Sequence, residues 1–156
     1  MKAKEIFAVG EHNIGWVSEF FQEQFADTLV ESGVVLQSKT LLRNMTDDEI
    51  IKKFDVKECS LGDVLATLDA GTEEMKDGNY NFFYVDSCVV DVSWDVDSRE
   101  WRVDAWKRGA FRWGAGVRVF SPATDTDIFA RDSMTLGNFD TLPDLLTINE
   151  IKYRKI

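Results

Sequence analysis

Residues 80–120 constrain the fold of this chain more than any other stretch, because they alternate. Tyr80, Phe82, Tyr84, Cys88, Val90, Val92, Trp94 and Val96 fill the even positions, and only Asp86 interrupts them. From residue 87 the odd positions read Ser87, Val89, Asp91, Ser93, Asp95 and Asp97. Successive side chains of a strand point to opposite faces, so a period of two predicts a strand with one buried face. Asp86-Ser87 divides the run in two, since strands longer than about 10 residues are uncommon.

A tight hairpin on Asp97-Ser98 pairs Val96 with Arg99. It then sets Trp94 against Trp101, Val92 against Val103 and Val90 against Ala105. The polar set on the other face becomes Asp95 with Glu100, Ser93 with Arg102 and Asp91 with Asp104. The apolar sides coincide, and a slip of one residue turns one set to the wrong face. A loop at 107–111, centred on Gly109, leads to a third alternating stretch that ends at Pro122, which has no N–H for a ladder. Matching faces predicts that this stretch pairs with the second strand, Ala105 with Trp113, Val103 with Ala115 and Trp101 with Val117. Trp106 then lies opposite Arg112, a cation–π geometry, and Glu100 opposite Arg118.

The outer face of this predicted sheet carries the candidate binding residues: Asp91, Arg102, Asp104, Trp106, Arg112 and Arg118, with Asp95 beside them. Gly114 and Gly116 lack side chains and form a shallow trough in this register. Asp91 facing Asp104 raises one of the two carboxyl pKa values, and the neighbouring arginines oppose the shift. The same face also reads as a solvated surface whose charges pair with each other, or as one partly covered by a helix.

The 156 residues suit a single domain, 1–156, with a sizeable core. With 28 acidic and 18 basic residues the formal net charge is −10, which disfavours direct binding to nucleic acid or anionic membrane. It suits a basic protein partner. Cys59 and Cys88 are the only cysteines and His12 the only histidine. They do not make a zinc set, and no metal or cofactor is expected. Two reduced thiols fit the absence of a secretion signal, and with no apolar span of 18 residues the expected location is cytoplasmic.

Ahead of the sheet, 5–9 reads as a short strand and 10–13 as a turn. Trp16, Phe20, Phe21, Phe25, Leu29 and Val30 predict a helix over 16–30, N-capped by Asn13 and closed by Ser32-Gly33. His12 has no local Ser, Cys or Asp to activate it, so it reads as a turn residue. A strand is expected at 34–38. Thr46 to Glu49 forms a capping box for a short helix, and capping accounts for its acidic first turn. Ser60 starts another helix, stopped by Ala70-Gly71. Residues 72–79 are turn-forming. Neither GxxxxGK[ST] nor GxGxxG is present. Beyond Pro122, Asp125 and Asp127 are too few for a calcium loop, 128–136 suggests a helical turn, 137–144 a loop, and 145–156 an edge strand or terminal helix with a small basic end.

Helical patterns precede residue 72 and hairpins follow residue 80, which favours α+β over alternating α/β. The expected architecture is an antiparallel sheet of four to five strands packed against N-terminal helices. The expected function is that of a small acidic protein acting by binding another macromolecule: an inhibitor, immunity or accessory protein, including one carried by a mobile element. Two alternatives stand beside it. One is a small enzyme with Asp91 or Asp104 as acid/base and Arg102 or Arg118 as anion clamp. The other is a small-ligand domain using Trp106 and Trp113, although the register above sends those two rings to opposite faces. Self-association through an open sheet edge is a further option.

Overall fold

The second hairpin forms in the register its two faces require. Trp94 pairs with Trp101, Val92 with Val103 and Val90 with Ala105, while Asp91 lies opposite Asp104 and Ser93 opposite Arg102. The ladder stops at Asp95 and Glu100 rather than continuing to Val96 and Arg99. The Asp95 carboxylate accepts the N–H groups of Asp97 and Ser98 at 3.0 and 3.3 Å, which widens the connection into a longer turn with Arg99 in the left-handed region.

The computed structural model describes residues 1–122, and Met1–Pro122 form one unit. The expectations for 124–156 lie outside the described residues. In chain order the elements are α1 (Ala3–Ile6), β1 (Ile14–Val17), α2 (Glu19–Phe25), β2 (Gln37–Thr40), β3 (Met45–Thr46), α3 (Asp47–Phe54) and α4 (Leu61–Ala70). A 3₁₀ turn (Glu73–Lys76) follows, then β4 (Asn81–Val85), β5 (Cys88–Asp95), β6 (Glu100–Lys107), β7 (Arg112–Trp113) and β8 (Arg118–Ser121). The fold is α+β, with a six-stranded sheet in the order β1-β6-β5-β4-β8-β2 and a separate β3-β7 pair. The sheet is mixed rather than purely antiparallel, because β1 runs parallel to β6 and β8 parallel to β4.

The third stretch does not pair with β6 as its alternation predicts. Gly116 sits at φ +99°, which ends the alternation, and its N–H donates to the Leu41 carbonyl at 2.9 Å. The piece before the break, β7, pairs with β3, Trp113 opposite Met45. The piece after it, β8, joins β4 and β2, and β1 takes the edge of β6 instead. The trough at Gly114 and Gly116 therefore does not lie on the sheet: Gly114 is beside Asn44 and Gly116 beside Asn79.

The even residues of 80–96 also do not share one face. β4 and β5 pair odd with even, Phe83 with Val90 and Tyr84 with Val89. Phe83, Val85, Val90 and Val92 consequently enter one core, with Phe21 and Phe25 of α2 and Val64 and Leu68 of α4. Phe82, Tyr84 and Val89 enter a second core on the other face, with Ile50 of α3, Met45 and Trp113. β4 is buried throughout for this reason.

Among the N-terminal elements, α1 replaces the strand expected at 5–9. β1 and α2 divide the helix expected over 16–30, and the cap is Ser18, whose hydroxyl accepts from Phe21 N–H at 3.1 Å, not Asn13. Strand β2 begins at Gln37, displaced from 34–38. The Thr46 and Ser60 starts form capping boxes with Glu49 and Asp63, and Gly71 closes α4 at φ +46°.

Candidate functional site

The second face of the sheet is covered only in part by α3 and the β3-β7 pair, and the candidate site lies along β6 beside that cover. Arg102, Asp104 and Trp106 occupy alternate positions of β6 and so share this face. At one end Trp16 of β1, 37% exposed, lies under the Arg102 guanidinium at 4.2 Å from the ring centroid. At the other, Trp106 meets Tyr80 at 5.8 Å and Trp113 at 5.2 Å between ring centroids. Phe111 continues the aromatic run, 5.4 Å from Trp113. Tyr80 is 41% and Phe111 50% exposed, so both ends of the run are open to solvent. The expectation that Trp106 and Trp113 point apart fails because β7 folds back over the sheet face instead of extending it.

Asp91 lies opposite Asp104 across the β5-β6 ladder, as expected, but it is only 2% exposed. Burial pushes its carboxyl up to about 8, and Asp104 adds to the shift. Hydrogen bonds from the Asn81 N–H, at 2.9 Å, and from Ser93 oppose it, as does the charge of Arg102. Burial, not the facing carboxylate, is the main cause. Asp104 is half-buried, and one of its oxygens accepts the Ala105 N–H at 2.8 Å.

The six predicted site residues therefore separate. Asp91, Arg102, Asp104 and Trp106 share one face. Arg112 lies on β7, 3.8 Å from Glu49, rather than opposite Trp106. Arg118 belongs to the other face and to β8: it is buried, donates to the Asn81 side-chain oxygen Oδ1 at 2.8 Å and pairs with Asp77, not Glu100. Burial acts to raise the Asp77 carboxyl, but the Asn79 N–H and Arg118 outweigh it and hold it below the usual carboxylate range. The Arg118 pair fastens the turn before β4 to the sheet, a structural task.

Two polar groupings went unseen in the sequence. Asp47, the first residue of α3, turns inward and is fully buried. Its carboxylate accepts from Tyr84 OH at 2.6 Å, Trp113 Nε1 at 2.8 Å and Gly109 N at 2.6 Å. These bonds hold β7 and the 109 loop over the second face, and so position the aromatic run. His12 Nδ1 lies 2.9 Å from Asp69 of α4, a partner 57 residues away that no local spacing discloses. His12 and Asn13 both have positive φ, at 49° and 61°. Among the described residues, no group of three or more His, Cys, Asp or Glu is placed to hold a metal ion. Likewise, no helix among them is long and apolar enough to cross a membrane.

The chain matches no protein-family model, and neither a curated protein nor a solved structure matches it.

Proposed function

We propose that this protein acts by binding another protein, as an inhibitor, immunity or accessory protein, and that it docks through the strip from Trp16 and Arg102 to Tyr80, Trp106 and Phe111. The carrying observation is the contiguous aromatic run with exposed ends beside a charged strand. Aromatic rings and arginine are enriched at the centres of protein interfaces and dominate their energetics. The Asp47 bonds support the reading further, because a surface held in place before docking costs less order on binding. The net charge of −10 suits a basic partner.

A small enzyme is the second reading, and the raised Asp91 carboxyl is the observation that favours it. The 2% exposure of Asp91 weighs against contact between that carboxyl and a substrate.

Affinity capture from source-cell lysate, at low and moderate salt, tests the proposal. The wild-type protein runs beside a Tyr80→Ser/Phe111→Ser double variant, whose replaced rings are half-exposed. A stoichiometric partner retained by the wild type and lost by the folded variant is the expected result. A partner held equally by both contradicts the docking strip.

A further inference from the structure

We propose that Tyr80, Trp106 and Asp104 form an anchor site for a guanidinium group, an arginine side chain presented by the partner; this rests on the binding reading above. Three observations converge on it. Tyr80 and Trp106 place two rings 5.8 Å apart, tilted by 43°, and Tyr80 is 41% exposed. Asp104 precedes Trp106 by two residues on the same strand face, about 7 Å along β6. One of its oxygens accepts the Ala105 N–H at 2.8 Å, and among the described residues no cation pairs with it.

The neighbouring cation does not fill that role. Arg102 shares the face with Asp104, but its guanidinium lies over Trp16, 4.2 Å from the ring centroid. The protein thus already stacks one guanidinium on an indole along this strip, and Asp104 shares the strand face of a second aromatic pair, Trp106 with Tyr80. A planar guanidinium suits both halves of that arrangement, since it stacks on rings and forks a carboxylate with paired N–H donors. The net charge of −10 favours its approach.

Nuclear magnetic resonance of the full chain tests the site directly, with N-acetyl-arginine amide as the probe and its neutral isostere N-acetyl-citrulline amide as the control. The expected result is a saturable shift of the Trp106 indole and the Tyr80 amide with arginine, with at least fivefold weaker binding of citrulline. Asp104→Asn, checked for an unchanged spectrum elsewhere, is expected to weaken arginine binding by a similar factor. No shift with arginine, equal binding of citrulline, or wild-type binding by Asp104→Asn overturns the anchor. The capture experiment is independent of these outcomes: a partner lost by the Tyr80/Phe111 variant while arginine fails to bind leaves the docking strip standing without the anchor.

Discussion

The Tyr84 hydroxyl donates a hydrogen bond to the Asp47 carboxylate at 2.6 Å, between two residues that are 1% and 0% exposed. It joins the centre of the sheet to the first residue of α3. Burial, followed by the adjacent Asp47, raises the Tyr84 phenol above its ordinary pKa, so the phenol stays a donor. Tyr84→Phe removes one donor and is expected to cost about 1–2 kcal/mol. Asp47→Ala leaves Tyr84, Trp113 and Gly109 without their acceptor and is expected to cost more, on the order of 3–5 kcal/mol. Urea denaturation of both variants checks the ranking.

Asp91 predicts a pH dependence with a definite sign. Its native carboxyl holds a proton up to about pH 8, whereas an unfolded aspartate releases it near pH 4. Between those values the native state binds more protons, so this group's contribution falls as pH rises from about 4 to 8, by an amount on the order of several kcal/mol. Asn mimics the neutral acid: its carbonyl accepts from Asn81 N–H and its amide keeps a donor. Asp91→Asn is therefore expected to flatten the decline in melting temperature between pH 5 and pH 9. A decline as steep as in the wild type contradicts this assignment.

Gly33 and Gly62 predict a steric effect that their isolation in the sequence does not suggest. Here the segment after Glu31 crosses the first turn of α4. A Cβ on Gly33 runs into the Gly62 backbone, and one on Gly62 runs into the Glu31 carbonyl. Val34 N–H bonds Asp63 Oδ1 at 2.9 Å and Leu36 N–H bonds Thr67 Oγ1 at 3.0 Å, so the crossing is tied down on one side. Either glycine changed to alanine is expected to destabilise by about 1–3 kcal/mol or more. Gly114→Ala meets only Asn44 at 3.6 Å and is expected to change little. Thermal melts of the three variants separate these cases.

The two thiols are expected to be sluggish. Burial, with Asp63 and Glu58 nearby, pushes the Cys59 thiol up to about 12, and burial raises Cys88 as well. Thiolate is the reactive form. Alkylation of the native protein at pH 7.5 is expected to be at least tenfold slower than that of glutathione, and to accelerate in denaturant. Rapid native labelling of Cys59 contradicts this.

What the sequence disclosed about the fold was whatever was local. The β5-β6 register followed from two alternating patterns joined by a turn, and the Thr46 and Ser60 capping boxes followed from four-residue signatures. The errors have a common cause in distant pairing. β1 meets β6 across more than 80 residues, and its Trp16 and Val17 were absorbed into the helical period of Phe20, Phe21 and Phe25. β7 and β8 alternate as one strand, and only the left-handed Gly116, bonded to Leu41, and the pairing of Trp113 with Met45 divide them. The candidate site was legible to the same degree. Asp91, Arg102, Asp104 and Trp106 fell together because they lie on one hairpin. Arg112 and Arg118 follow the third alternating stretch, which divides between β7 and β8, and Trp16 lies in β1 although its spacing is helical. Asp47 looks like a helix-start charge in the sequence because nothing local shows that Tyr84 and Trp113 close over it.

The most direct test of the binding strip is hydrogen–deuterium exchange on the protein, free and in complex with its captured partner. The account predicts slower exchange on binding in peptides covering residues 14–17, 78–82 and 100–113, with little change in α2 and α4. Protection centred on α2 and α4, with the strip exchanging as in the free protein, would contradict it.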